Sequence, residues 1–259
     1  LHKVDFRKDE ALTLKNLPLR VDEYDLRARL FPGMIVTLPL FVGAFALWPA
    51  LRKPTGLGLG AVVEAALLFW IMRIARDRGK RIEVDLFLKW GGRPTTLLLR
   101  WRNEEIDPIT KLRYHQMLAK LISTPFPSAN LEQHDPDSAD VVYESGVRGL
   151  LEKRRSKTYR LIFEENCNYG FARNLYGLRA IGMFVYVAVG LALGASAVIN
   201  HGRMTELQWA LVVIDLICLG FLMYVTEASV KRAAYAYGVA LLRSCDVTPT
   251  QRRASKEKN

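Results

Sequence analysis

Cysteine is scarce in this chain, and its placement argues against two chemistries. The three cysteines, Cys167, Cys218 and Cys245, share no CxxC spacing, and the four histidines, His2, His115, His134 and His201, are scattered. An odd, dispersed set predicts reduced thiols, with neither a disulfide framework nor a zinc site. Catalytic patterns are missing too. Gly56-Leu57-Gly58-Leu59-Gly60 lacks the later glycine and the preceding strand of a dinucleotide fingerprint. Asp135, Asp137 and Asp140 resemble a helix-start cluster more than a calcium loop. No enzyme, metal or cofactor is expected.

Long apolar runs, by contrast, are abundant. Phe31–Leu51 and Leu57–Met72 form one close pair, Tyr176–Ile199 and Leu207–Val225 another. A bilayer core takes about 20 apolar residues per helix, and each run comes near that length. Two transmembrane hairpins around one polar insert are therefore predicted. Lys and Arg set the orientation. Seven lie in residues 1–30, nineteen in 73–175 and seven after Val225, whereas the two short turns hold only Arg52, Lys53 and Arg203. Both termini and the insert are expected in the cytoplasm. No basic segment leading into an apolar h-region opens the sequence, so no cleavable signal peptide is expected.

The expected fold class is a mainly α membrane protein with a small α+β cytoplasmic domain between the hairpins. Its parts are a cytoplasmic segment (1–30), the first hairpin (31–75), the α+β domain (76–174), the second hairpin (175–226) and a helical extension with a basic tail (227–259). Val21–Leu30 reads as a short amphipathic helix at the interface. Pro39 and Pro49 predict a kink in the first span, and the helix of the second span is expected to continue past Met72 as Arg73–Arg78 and stop at Gly79. In Arg81–Trp90 the residues Ile82, Val84, Leu86 and Leu88 alternate, which predicts a strand. Gly91-Gly92 would turn it into a second strand, Thr95–Trp101. A helix is expected from Asp107-Pro108 to Ser123, then a loop over Pro125–Asp137. From Ser138 or Asp140 a long helical pattern runs toward Arg173 and the third span. The fourth span is expected to continue to Arg243.

Glu64 and Asp215 stand near the middle of the second and fourth spans. Acids there normally face the bundle interior or water, so both are candidate pore residues. The alternative is a protonated or hydrogen-bonded packing group. Two basic clusters mark the insert: Lys89, Arg93, Arg100 and Arg102 interleaved with Trp90 and Trp101 and followed by Lys111 and Arg113, then Lys153, Arg154, Arg155, Lys157 and Arg160. Cations beside aromatic faces suit a nucleotide or single-stranded oligonucleotide, through phosphate neutralisation and base stacking. Against this, juxtamembrane Lys and Arg follow from topology and contact with anionic lipid alone. Residues 76–173 also hold fourteen acids against eighteen bases.

Three stretches carry a resemblance: Lys111-Leu-Arg-Tyr-His115, Asp135-Pro-Asp-Ser-Ala-Asp-Val-Val-Tyr143, and Glu164-Glu-Asn-Cys-Asn-Tyr-Gly-Phe-Ala-Arg-Asn-Leu-Tyr-Gly-Leu178. Together they resemble a widespread group of bacterial membrane proteins with a YGFRRN-L-G stretch before the second hairpin. Ala172 stands where that pattern has its first Arg. The layout looks like membrane effectors of anti-phage defence, in particular the channel component of Hailong-type systems. In those systems a partner nucleotidyltransferase makes a DNA oligomer that holds the channel shut. The resemblance implies a homo-oligomeric, tetrameric inner-membrane ion channel gated by a ligand on its cytoplasmic domain. Asn166, Tyr169, Gly170, Arg173 and Asn174 would couple domain to membrane. A non-conducting scaffold that docks a protein partner is the competing expectation.

Overall fold

The computed structural model describes residues 22–154 and 159–246. Four helices are long and apolar enough to cross a membrane, which marks this as a membrane protein. In chain order the helices are α1 (Glu23–Leu47), α2 (Pro54–Trp90), α3 (Pro94–Leu99), α4 (Pro108–Ile122), α5 (Ala129–His134), α6 (Pro136–Arg154), α7 (Arg160–Ile199), α8 (Glu206–Tyr224) and α9 (Glu227–Arg243). The α1–α2 and α7–α8 pairs form the apolar bundle, and α3–α6 with α9 form a polar domain. At 1.5 Å per residue, the 37-residue α2 and the 40-residue α7 extend about 55 and 60 Å. A hydrocarbon core of about 30 Å takes only half of each. Both therefore run without a break from the bundle into the polar domain.

Two local features fix α1 within the bundle. Its interior Pro39 has no N–H to donate to the Ile35 carbonyl. The Tyr186 hydroxyl of α7 donates to that carbonyl instead, at 2.6 Å. Close contact between α1 and α7 follows at Gly43, where a Cβ would meet Val189 at 2.9 Å. The amphipathic segment expected at the interface is not separate. Glu23–Leu30 is continuous with the first span and includes a π-helical turn at Leu26–Leu30.

The expected α+β class is overturned: no strand is present among the described residues. The alternation over Arg81–Trp90 coincides with a helical face. Leu86 is buried and Ile82 and Trp90 are half-buried, at four-residue spacing, while Val84 and Leu88 are 59% and 76% exposed. That spacing belongs to a helix, since a strand would bury all four alternating residues. In the other supposed strand, Leu97, Leu98 and Leu99 are all buried, which alternation forbids. Gly91-Gly92 does turn the chain, but as a helix end. Gly91 has φ +80°, its N–H donates to Leu88 O at 3.2 Å, and Gly92 N–H donates to Phe87 O at 2.8 Å. This pairing closes α2 in a Schellman motif.

Other boundaries also moved. Gly79 does not end the second span; α2 passes through it. The expected loop after Pro125 contains α5. The long helical pattern divides into α6 and α7, and the fourth span stops at Tyr224, after which a Thr226–Ser229 capping box starts α9. That break lets α9 fold onto the polar domain. Leu241 and Leu242 join Leu98, Leu99, Tyr143 and Leu150 in its core, all with no exposed surface. The expected helix from Asp107-Pro108 is present as α4, with the Asp107 carboxylate accepting the Thr110 N–H at 2.9 Å.

His115 sits inside this domain among Trp101, Phe126 and Tyr143, with ring centroids 4.8, 5.1 and 5.3 Å away. Its Nε2–H donates to Leu99 O at 2.8 Å, and Nδ1 is buried without a partner. Burial lowers its pKa first, and nearby Lys111 lowers it further, against the Leu99 bond and Glu132. The unfolded chain titrates near about 6.5. Between that value and the lowered native pKa the unfolded state binds more protons, so stability falls as pH falls through this window. Melting temperatures of the detergent-solubilised protein should drop from about pH 7.5 to pH 5, and His115→Gln should flatten that dependence.

Candidate functional site

The residues expected to couple domain and membrane converge on one buried polar junction. Tyr169, Gly170, Arg173 and Asn174 lie on α7 and are all buried. Arg173 Nη1 donates to Glu83 Oε2 of α2 at 2.9 Å, and the Tyr169 hydroxyl donates to Glu83 Oε1 at 2.6 Å. Arg173 Nε donates to Asn174 Oδ1 at 3.3 Å, and Asn174 Nδ2 to Ala28 O of α1 at 2.6 Å. The Ala28 carbonyl is available because Pro32, four residues on, has no N–H to donate to it. Tyr169 also stacks on Tyr237 of α9, with planes 6° apart and centroids 6.2 Å apart. Burial raises the pKa of both phenols, Tyr237 to about 12, so both hydroxyls stay neutral.

Glycine makes this approach possible. A Cβ on Gly79 would collide with Asn174 Oδ1, and one on Gly177 would sit 3.0 Å from Gly79 N. One on Gly170 would sit 2.7 Å from Tyr24 Oη and 2.8 Å from Ala28 Cβ. Backbone and side chains of three helices therefore meet where only hydrogen fits. Sequence reasoning missed Glu83 and Gly79. Glu83 was hidden in a supposed strand, and Gly79 was read as a helix stop. Asn166 stands at the edge of the junction and lines two neighbouring cavities.

The mid-membrane acids are not brought together. Asp215 is 9% exposed, and its Oδ1 is buried without a partner. It lines a cavity of about 100 Å³ between α1, α7 and α8. Glu64 is half-buried beside Thr37 of α1, with Oε2 buried and unpartnered. The apolar part of α2 exposes Leu59, Val62, Val63 and Trp70, so this helix stands at the rim of the bundle.

The basic residues largely serve the domain itself. Lys89 pairs with Glu227, which also accepts from Trp90 Nε1 at 3.0 Å. Arg100 holds Asp140, with Nε to Oδ1 at 2.9 Å, and donates to Gly91 O at 2.8 Å. Lys111 is 1% exposed and donates to the carbonyls of Arg100 and Asn103, and burial lowers its pKa first. The buried Glu132 accepts from the N–H groups of Trp101 at 2.7 Å and Arg102 at 3.5 Å. Trp101 Nε1 donates to Pro127 O at 2.9 Å. Arg113 faces Asp246 at 3.4 Å, Arg160 faces Glu164 at 2.7 Å, and Arg93 lies 3.8 Å from Glu144. Arg155 and Lys157 lie outside the described residues.

Arg154 differs from the rest. It donates to the Tyr159 hydroxyl and, at 3.0 Å, to Ser244 O, and its Nε is buried without a partner. Among the described residues no carboxylate lies within ion-pair distance of it. It lines a cavity of about 220 Å³ with Tyr159, Asn166 and Tyr237. A second cavity of about 220 Å³ also reaches Asn166 and Tyr237 and adds Arg93, Tyr169 and Arg173. Together they make a cleft between the polar domain and the junction. Its walls offer cations, an amide and phenol rings, a set that suits an anionic, aromatic ligand.

No protein family, curated protein or solved structure matches this chain.

Arg173 and Glu83 are 9% and 23% exposed at their side chains, so removing either strands a buried charge. Arg173→Met should cost about 3 kcal/mol or more, while the double variant with Glu83→Gln should recover a substantial part of that loss. Urea unfolding of both single variants and the double variant in detergent checks this; additive losses would show no coupling.

Proposed function

We propose that this chain is the subunit of a homo-oligomeric inner-membrane ion channel, with its termini and polar domain in the cytoplasm. In this reading a nucleotide or single-stranded oligonucleotide enters the cleft beside the junction and biases an open–closed equilibrium. A ligand can do so only by binding the two states differently. The single observation that supports the coupling is the Arg173–Glu83 junction. It joins α2 and α7, both continuous with spans, and lies about two helical turns from Asn166 in the cleft. A ligand that displaced Tyr169 or Arg173 would tilt two spans together. Arg93, Arg154 and Arg173 supply the cations, and among the described residues Arg154 has no carboxylate within ion-pair distance. Tetrameric assembly, a partner nucleotidyltransferase and a role as an anti-phage effector rest on the sequence resemblance alone.

Asp215 and Glu64 would shape cation passage, and since each protomer buries its Asp215 the water path would need rearrangement on opening. Two observations bear on the competing reading, a non-conducting scaffold for a protein partner. Most of the basic side chains already hold acids or carbonyls of their own chain, and Ile109 and Val141 are exposed on the domain surface.

Reconstituted in planar bilayers, the protein should conduct, and a short single-stranded DNA should change its open probability. The Arg93→Gln/Arg154→Gln variant should bind that DNA more weakly and lower the salt slope of binding by about 0.7 per lost phosphate contact. Absence of conductance with and without DNA would reject the channel and leave the scaffold.

A further inference from the structure

We propose that the cavity beside Asp215 is a binding site for the ammonium group of a lipophilic amine drawn from the membrane. The site lies within one protomer, and its occupancy does not depend on whether the chain conducts.

The Asp215 side chain is more than nine-tenths buried, lines this cavity, and has no partner at Oδ1. Of the two other polar groups that line the cavity, the Tyr186 hydroxyl already donates to Ile35 O, and the Cys218 thiol lies against Tyr186. Among the described residues no ion pair involves Asp215. A lone carboxylate in such surroundings is costly, and a cation that enters the cavity relieves that cost.

The walls decide which cation. Val42, Val189, Leu193 and Leu211 are aliphatic, and no group of His, Cys, Asp and Glu suited to a metal ion occurs among the described residues. Hard metal ions take about six oxygens, which this cavity does not offer. An ammonium needs fewer acceptors, and its alkyl body matches the walls. The cavity holds about 100 Å³, room for an amine head and the first methylenes. Leu38 and Ile214 border it and are 46% and 49% exposed on the bundle surface. The remaining alkyl chain would leave between them into lipid.

The test uses the full chain in lipid nanodiscs and an alkylamine carrying a photoreactive diazirine on its chain. Cross-links should appear on α1 and α8 near Leu38 and Ile214. Excess octylamine should suppress them by about tenfold, as expected for loss of a charge-assisted hydrogen bond, whereas octanol should not. Asp215→Asn should abolish the amine-specific fraction. Ile214→Trp, which narrows the mouth and leaves the acid in place, should do the same if Asp215→Asn does not fold. Equal competition by octanol, or unchanged labelling in both variants, would overturn the site. Conductance plays no part in this readout, so failure of the amine site and failure of the channel are separate results.

Discussion

The contact between Glu83 and Arg173 is the constraint on which the rest of the architecture depends. It lies where two long helices leave the apolar bundle, and it is buried by four elements at once. Such a pair contributes to a defined arrangement only if its remaining donors and acceptors are met. Here Tyr169 supplies the second donor to Glu83, Asn174 takes the second Arg173 nitrogen, and Ala28 closes the chain of bonds. The need for this network explains the glycines around it. Side chains of this size fit between helices only where Gly79, Gly170 and Gly177 leave room.

The same constraint decides how the polar domain sits on the bundle. Tyr237 stacks on Tyr169, so α9 reaches the junction while its far end completes the domain core through Leu241 and Leu242. The last helix thus belongs to a core formed mainly by residues far away in sequence. A break at Val225–Thr226 is what permits this. Had the fourth span continued straight, those leucines would have had no core to enter. The charged residues follow suit: Glu227 near the start of α9 holds Lys89 and Trp90 at the end of α2.

Much of the bundle was legible in the sequence. Four apolar runs announce four spans because a bilayer imposes a length, and that needs no knowledge of partners. Of the five residues that the resemblance implies as a joint, Tyr169, Gly170, Arg173 and Asn174 lie buried together, and Asn166 stands at their edge. The polar domain was less legible. Ile82, Val84, Leu86 and Leu88 satisfy an alternating pattern, yet only the neighbours on α7 and α9 determine which of them are buried. A short apolar run reads equally as strand or helix until its packing surface is known. The basic clusters show a related ambiguity. Arg100 and Lys111 look like ligand contacts in a linear reading, whereas Asp140 and two backbone carbonyls, distant or unremarkable in sequence, already occupy them.

Composition and periodicity alone determined that this chain enters a membrane, that its spans come in two pairs, and that each pair carries one acid. These follow from transfer energies, which are summed locally along a helix. Tertiary structure alone decided that α2 runs on as a helix, that Glu83 answers Arg173, and that Asp215 lines a cavity between α1, α7 and α8. Each of these depends on which surfaces meet, and a pairing energy between distant residues leaves no trace in the local pattern of either.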